Sequence, residues 1–247
     1  MAYHFEAWQW LAAGFAAFLV GLSKTGIPGI GLFAVVIFAN LIDPKLASGV
    51  VLPILISADL IAASAYRKSV VWKRVGQLFP WAALGVIAGY FALKQVDGHA
   101  VGRMMGVIIL AMIGIHLWRK KNAGEEPKIP EGLWFAVLMG LIGGFTTMVG
   151  NAAGPVMILY LLAMHLPKLE FLGTGAWYFF LMNSFKVPFS VNLGLINAHS
   201  LLLDLPLMGI AMLGALSGRK LVPYLNQEMF ETLALIFSVI AAVKLLF

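Results

Sequence analysis

Long apolar runs separated by short polar breaks dominate this chain. In the first half they cover residues 5–22, 27–42, 46–66, 75–93 and 99–118; in the second they cover 133–149, 153–165, 169–189, 200–216 and 227–247. A helix needs about 20 apolar residues to cross a bilayer, so the pattern predicts an all-α polytopic membrane protein. The one long polar break, RKKNAGEEPKIPE at 119–131, falls near the midpoint. It divides the chain into a first transmembrane repeat (1–118), a cytoplasmic linker (119–131) and a second transmembrane repeat (132–247), with five segments on each side.

Residue identities carry a weaker form of the same repeat. Shifted by 123 residues, Gly31 falls on Gly154 and Pro44-Lys45-Leu46 on Pro167-Lys168-Leu169; shifted by 129, Leu84-Gly85 and Gly89 fall on Leu213-Gly214 and Gly218. Basic residues then set the orientation, because Lys and Arg concentrate in cytoplasmic loops. Eleven of the 17 Lys and Arg fall at the 67–74 connection, in the linker, at Lys168 or at Arg219-Lys220, whereas 192–199 carries none. Putting the basic connections inside gives each half an odd number of crossings. The second half then inserts upside down relative to the first, and both termini lie outside. No Lys or Arg precedes the first apolar run, so that run is expected to be a membrane segment of the mature protein rather than a secretory signal.

Composition agrees. The chain has 247 residues, 61% hydrophobic and 11% charged, where soluble domains carry about 25% charge. The mean hydropathy is +0.92. With so little polar sequence there is no room for a separate soluble domain, and nucleic acid is not an expected partner. The net charge of +6 has a topological explanation instead. Zero cysteines remove disulfides and thiol chemistry. The five histidines form no metal-binding pair, no GxxxxGK[ST] phosphate loop occurs, and no cofactor or metal is expected. Ser57 and Asp59 stand two apart and share no helix face, which disfavours an intramembrane enzyme. A membrane assembly factor would need larger loops. The expected partners are a small anion and the lipid bilayer of the cell (inner) membrane, and a homodimer stays open.

The first two segments of each half are short, and the junctions between them are unusual. The first reads Ser23-Lys24-Thr25-Gly26-Ile27-Pro28-Gly29-Ile30-Gly31; the second runs from Gly143 through Thr146, Thr147, Gly150 and Asn151 to Gly154-Pro155. Gly/Pro-interrupted short segments at corresponding places in two halves point to a transporter's substrate site. Helices starting there offer free N–H groups and a positive dipole end to an anion. The candidate substrate-binding residues are Lys24, Thr25, Gly26, Gly29, Gly31, Thr146, Thr147, Gly150, Asn151 and Gly154. The alternative is a pair of tight turns whose glycines serve helix packing.

Ionisable residues inside a membrane are costly and default to function. Asp59, deep in its segment, is read as a coupling group or counter-ion to Lys24, and Asn183, 124 residues on, is its repeat partner. Lys186 is placed at the external mouth. Asp204, near the start of its segment, is read as interfacial.

The stretch Gly21-Leu-Ser-Lys-Thr-Gly-Ile-Pro-Gly-Ile-Gly31, followed by Asp43-Pro-Lys-Leu-Ala-Ser-Gly49 and by Leu55-Ile-Ser-Ala-Asp59 with Tyr66-Arg67, resembles the first half of the sulfite exporter TauE/SafE family. The resemblance extends over nearly the whole chain. It implies a permease moving sulfite, sulfonates or related sulfur-containing anions across the cytoplasmic membrane. Export is the expected direction, with import of thiosulfate or another oxyanion as the alternative.

Overall fold

The computed structural model describes residues 5–95, 114, 132–226, 228, 229, 232, 233, 236, 240 and 243. All regular structure among them is helical. The first half supplies α1 (Ala7–Thr25), α2 (Gly31–Leu41), α3 (Pro44–Ala65) and α4 (Trp72–Gln95). The second supplies α5 (Leu133–Gly150), α6 (Gly154–Ala163), α7 (Lys168–Asn192) and α8 (Ala198–Leu221), which ends in a 3-10 turn, Val222–Tyr224. Eight of the ten predicted segments are these helices. The predicted segment 99–118 apart from residue 114, the linker 119–131 and most of 227–247 lie outside the described residues.

Local chemistry sets the helix ends. Asp43 caps α3, its carboxylate accepting from the N–H groups of Lys45 (2.9 Å) and Leu46 (3.2 Å), with Pro44 in the first turn, where a missing N–H costs nothing. Asn197 caps α8 in the same way and shares a capping box with Ser200. Asn151 ends α5 in the left-handed conformation, φ 54°, which Asn tolerates better than other side-chain-bearing residues.

Helices α3, α4, α5 and α8 are each long and apolar enough to cross a bilayer. Large apolar side chains such as Leu60, Phe91, Leu138, Leu202, Leu205 and Leu213 stay exposed on their outer faces, as lipid contact requires. Helices α2 and α6, with 11 and 10 residues, are only about 15 Å long at 1.5 Å per residue. That is half the roughly 30 Å apolar core. Each of these two helices alone is too short to cover that thickness.

The halves pack through matched glycine contacts. A methyl group on Gly21 of α1 would overlap the carbonyl oxygen of Ala211 on α8; one on Gly144 of α5 would overlap that of Ala82 on α4. On α4, Gly85 lies against Leu141 and Gly89 against Phe145 and Met148; on α8, Gly214 lies against Phe18 and Gly218 against Leu22 and Thr25. Each contact becomes its counterpart when α1 residues shift by 123 and α4 residues by 129. Such close approach needs small residues at the crossing. Helices α1 and α8 run in parallel, as do α4 and α5. Between these pairs, α3 and α7 run antiparallel. Gly49 at one end of α3 abuts Leu195, just past α7, and at the other end the Tyr66 carbonyl abuts Gly173 near the start of α7.

Candidate functional site

Helices α1 and α2 meet at Pro28-Gly29, where Gly29 takes φ 91°, a conformation that costs other residues about 1–2 kcal/mol. This turn folds the start of α2 back over the end of α1, so closely that a methyl on Gly31 would sit 2.9 Å from the Ser23 hydroxyl oxygen. The α5–α6 junction folds likewise around Asn151. Between the two junctions lies a cavity of about 90 Å³, several times the ~10–15 Å³ that one water requires. Ser23, Lys24, Pro28, Gly29 and Gly31 line it from one junction and Asn151 and Gly154 from the other. The first residues of α2 and α6 thus both border the cavity. Phe171, Leu172, Gly175, Ala176 and Phe179 of α7 form an apolar wall.

A continuous polar chain runs behind that wall. Lys24 Nζ lies 2.8 Å from Asp59 Oδ1 and 4.2 Å above the Phe179 ring. Its side chain keeps 12% exposure while Asp59 has none. Asn183 Nδ2 donates to the other Asp59 oxygen at 2.6 Å. Lys186 Nζ donates to Asn183 Oδ1 (3.3 Å), Thr147 Oγ1 (3.1 Å) and Asn151 Oδ1 (2.6 Å). Asn151 Nδ2 closes the chain on the Ser48 carbonyl at 2.8 Å. The α7 residues Phe179, Asn183 and Lys186 are spaced four and three apart, so they share one helix face. Both ends of the chain, Lys24 and Asn151, reach the cavity.

The predicted residues divide accordingly. Lys24, Gly29, Gly31, Asn151 and Gly154 converge on the cavity, with Asp59, Asn183, Thr147 and Lys186 joined to them through the polar chain. Thr25 and Gly26 face α8 instead. The Thr25 hydroxyl donates to the Ala215 carbonyl at 2.5 Å, and a methyl on Gly26 would lie 2.9 Å from Gly218 Cα. The Thr146 hydroxyl donates to the Ile142 carbonyl within its own helix at 2.8 Å. Gly150 is the last residue of α5 and does not line the cavity. Several backbone donors are also spent. Gly26 and Ile27 N–H bond to the Leu22 carbonyl, and those of Asn151 and Ala152 bond to Thr147 and Thr146.

Two acidic or basic positions differ from expectation. Lys186, placed at the external mouth, is 1% exposed, because its side chain turns inward to Thr147 of α5, Asn151 of the α5–α6 junction and Asn183 of α7. Asp204, read as interfacial, is fully buried, and neither carboxylate oxygen has a hydrogen-bond donor among the described residues. Phe179 was not singled out from sequence. Its spacing of four before Asn183 was the available signal.

Neither the curated proteins nor the solved structures yielded a match to this sequence. A family model does match, that of the sulfite exporter TauE/SafE, over residues 12–245. This range takes in both junctions, the cavity and the whole polar chain behind it. Spanning helices with lipid-facing surfaces and a match over nearly the full length lead to one conclusion: the chain belongs to the sulfite exporter TauE/SafE family, membrane transporters of sulfur-containing anions.

Proposed function

We propose that this protein is a secondary transporter that exports small sulfur-containing anions, such as sulfite or a sulfonate, across the cell membrane. The cavity between the two junctions is the observation that carries this reading. It is bordered by two helix N-termini and one lysine, the donor set that an oxyanion with several acceptor oxygens needs. Lys24, Gly29, Gly31, Asn151 and Gly154 form the binding surface, and Asp59 acts as the counter-ion that holds Lys24 when no anion is present.

The transport cycle rests on two inverted five-segment repeats, with both termini outside. The matched crossings of α1 on α8 and α4 on α5, and the antiparallel course of α3 and α7, support this arrangement over the eight described helices. Rocking of one repeat against the other would expose a central site to each side in turn. Export needs no nucleotide, because expelling one negative charge from a negative interior is worth about 2.3 kcal/mol per 100 mV.

Counterflow in proteoliposomes tests the proposal, with sulfite, sulfate, thiosulfate, methanesulfonate and acetate as candidate substrates. Accumulation of a labelled sulfur anion against unlabelled internal anion is the expected result. No flux of any of them would remove the transport reading.

A further inference from the structure

The buried polar chain does not balance its charges. It contains two lysines, Lys24 and Lys186, but among the described residues only one carboxylate, Asp59, and the two Asp59 oxygens are taken by Lys24 and Asn183. Lys186 makes three hydrogen bonds, all to neutral oxygens, those of Thr147, Asn151 and Asn183. An ammonium has three donors and no acceptor, and the three oxygens around Lys186 match that set. The amide groups agree with this assignment. Asn183 turns its oxygen to Lys186 and its nitrogen to Asp59, while Asn151 turns its oxygen to Lys186 and its nitrogen to the Ser48 carbonyl.

From this imbalance we infer that the anion supplies the missing countercharge and that the site selects monoanions over dianions. This rests on the transport reading above. With the cavity empty the cluster holds one surplus positive charge, and a buried charge without a partner is costly. An anion between Lys24 and Asn151 would sit one hydrogen bond from Lys186, since Asn151 both lines the cavity and accepts from Lys186 at 2.6 Å. A single negative charge brings the cluster to zero. A dianion would carry it past neutrality and bury a net negative charge instead. Sulfonates meet the requirement as they are, and sulfite would bind as hydrogen sulfite.

The empty carrier then crosses the membrane field as a cation and the loaded one as a neutral species. An interior-negative potential draws the empty, positive site back inward, and each cycle exports one negative charge. The same electrical balance follows from export of a free monoanion, with the charge movement assigned to the return step.

Methanesulfonate and sulfate test the inference, because both present tetrahedral sulfur with three oxygens in common and differ in replacing a methyl group by a charged oxygen. The full-length protein in proteoliposomes, loaded with unlabelled anion, is assayed for counterflow of each labelled anion. Wild type is expected to prefer methanesulfonate by about tenfold or more, the order expected when a buried charge is left uncompensated. Asp59→Asn keeps the shape and one of the two accepting oxygens, and it raises the cluster by one charge. It is expected to lower that preference by about tenfold, bringing sulfate into use. Lys186→Gln lowers the cluster by one charge and is expected to lose methanesulfonate flux without gaining sulfate. Equal wild-type use of the two anions, or an Asp59→Asn protein whose flux persists with the wild-type ratio, would overturn the inference while leaving transport intact. Should Asp59→Asn fail to fold, the wild-type ratio and Lys186→Gln decide alone. Absence of flux for every sulfur anion in wild type would overturn the transport reading itself.

Discussion

Asp59 and Asn183 lie 124 residues apart, close to the shift of 123 that relates the α1 crossing to the α5 crossing, and they bond directly to each other at 2.6 Å. The bond joins α3 of the first half to α7 of the second. One member is charged and the other is a neutral shape analogue. The charge asymmetry is continued outward: Lys24 stands on the Asp59 side, while the position equivalent to Lys24 falls on Thr147, which accepts a hydrogen bond from Lys186 at 3.1 Å. The crossings of α1 on α8 and of α4 on α5 match, and the chemistry between them does not.

The glycine crossings should be as fragile as their geometry implies. Overpacking a tight contact costs about 1–3 kcal/mol, and one kcal/mol moves the melting temperature of a chain this size by about 2–4 °C. Gly21→Ala and Gly144→Ala are each expected to lower the melting temperature by several degrees by about the same amount. Gly76→Ala is the control, since a methyl there meets nothing within 4 Å and alanine favours the helix by ~1 kcal/mol. Thermal unfolding in detergent measures all three. Indistinguishable values for Gly21→Ala and Gly76→Ala would show that the α1–α8 crossing has room to spare.

Topology follows from the basic residues. The connection around Ser69 and the linker at Asn122 should share the cytoplasmic side, with Asn197 outside. The chain has no cysteine, so single cysteines at these three positions report without further engineering. An impermeant thiol reagent applied to intact cells should label only the one at Asn197. Labelling at Asn122 would mean that the halves do not insert with opposite orientations.

How far the sequence could be read depended on which physical quantity each residue reports. Apolar runs report burial in lipid or protein, and the eight described helices follow them closely. Gly29 and Asn151 stood out because Gly and Asn at a break between helices signal a turn, and both take positive φ. Gly26 belongs by sequence to the same junction, yet it serves the α1–α8 crossing; a small residue permits close approach without saying whether to a ligand or to another helix. For Lys186 and Asp204, distance from a segment end does not report burial: both side chains are buried. Burial depends on which face of a helix packs alongside its neighbours: Asp204 shares the buried face of α8 with Leu207 and Ala211, while Leu202 and Leu205 face outward. The three bonds of Lys186 join α5, α7 and the α5–α6 junction, a meeting that no local pattern encodes.

Asp204 is expected to be a cost to stability. It is fully buried, and both its oxygens lack a donor among the described residues. A buried polar group without a hydrogen bond is unfavourable by about 1–3 kcal/mol on mutational scales, and replacement by an apolar side chain of similar volume relieves that cost. Asp204→Leu should therefore raise the melting temperature by a few degrees, with Asp204→Asn between it and wild type. Flux measured on the same preparations shows whether transport tolerates the change. A clear fall in melting temperature for both variants would mean that the carboxylate has a partner beyond the described residues.

The binding surface itself can be tested by separating charge from backbone shape. Lys24 supplies a cation at the cavity wall, held by Asp59 at 2.8 Å, while Gly29 sets the fold of the junction through φ 91°. Lys24→Gln keeps the chain length near that of lysine and removes the charge. A hydrogen bond to a charged group is worth ~1.5–3 kcal/mol, so anion affinity should fall about tenfold or more. Gly29→Ala keeps every charge but forces a side chain into the left-handed region at a cost of about 1–2 kcal/mol, moving the start of α2 away from the cavity. It should weaken binding by a similar factor. Both proteins are compared by anion titration after size-exclusion chromatography shows a single folded species. Were Lys24 only an anchor for a turn, Lys24→Gln would bind with wild-type affinity, and the anion site would have to lie elsewhere. Loss in both variants requires the anion to be held by that lysine and that turn together.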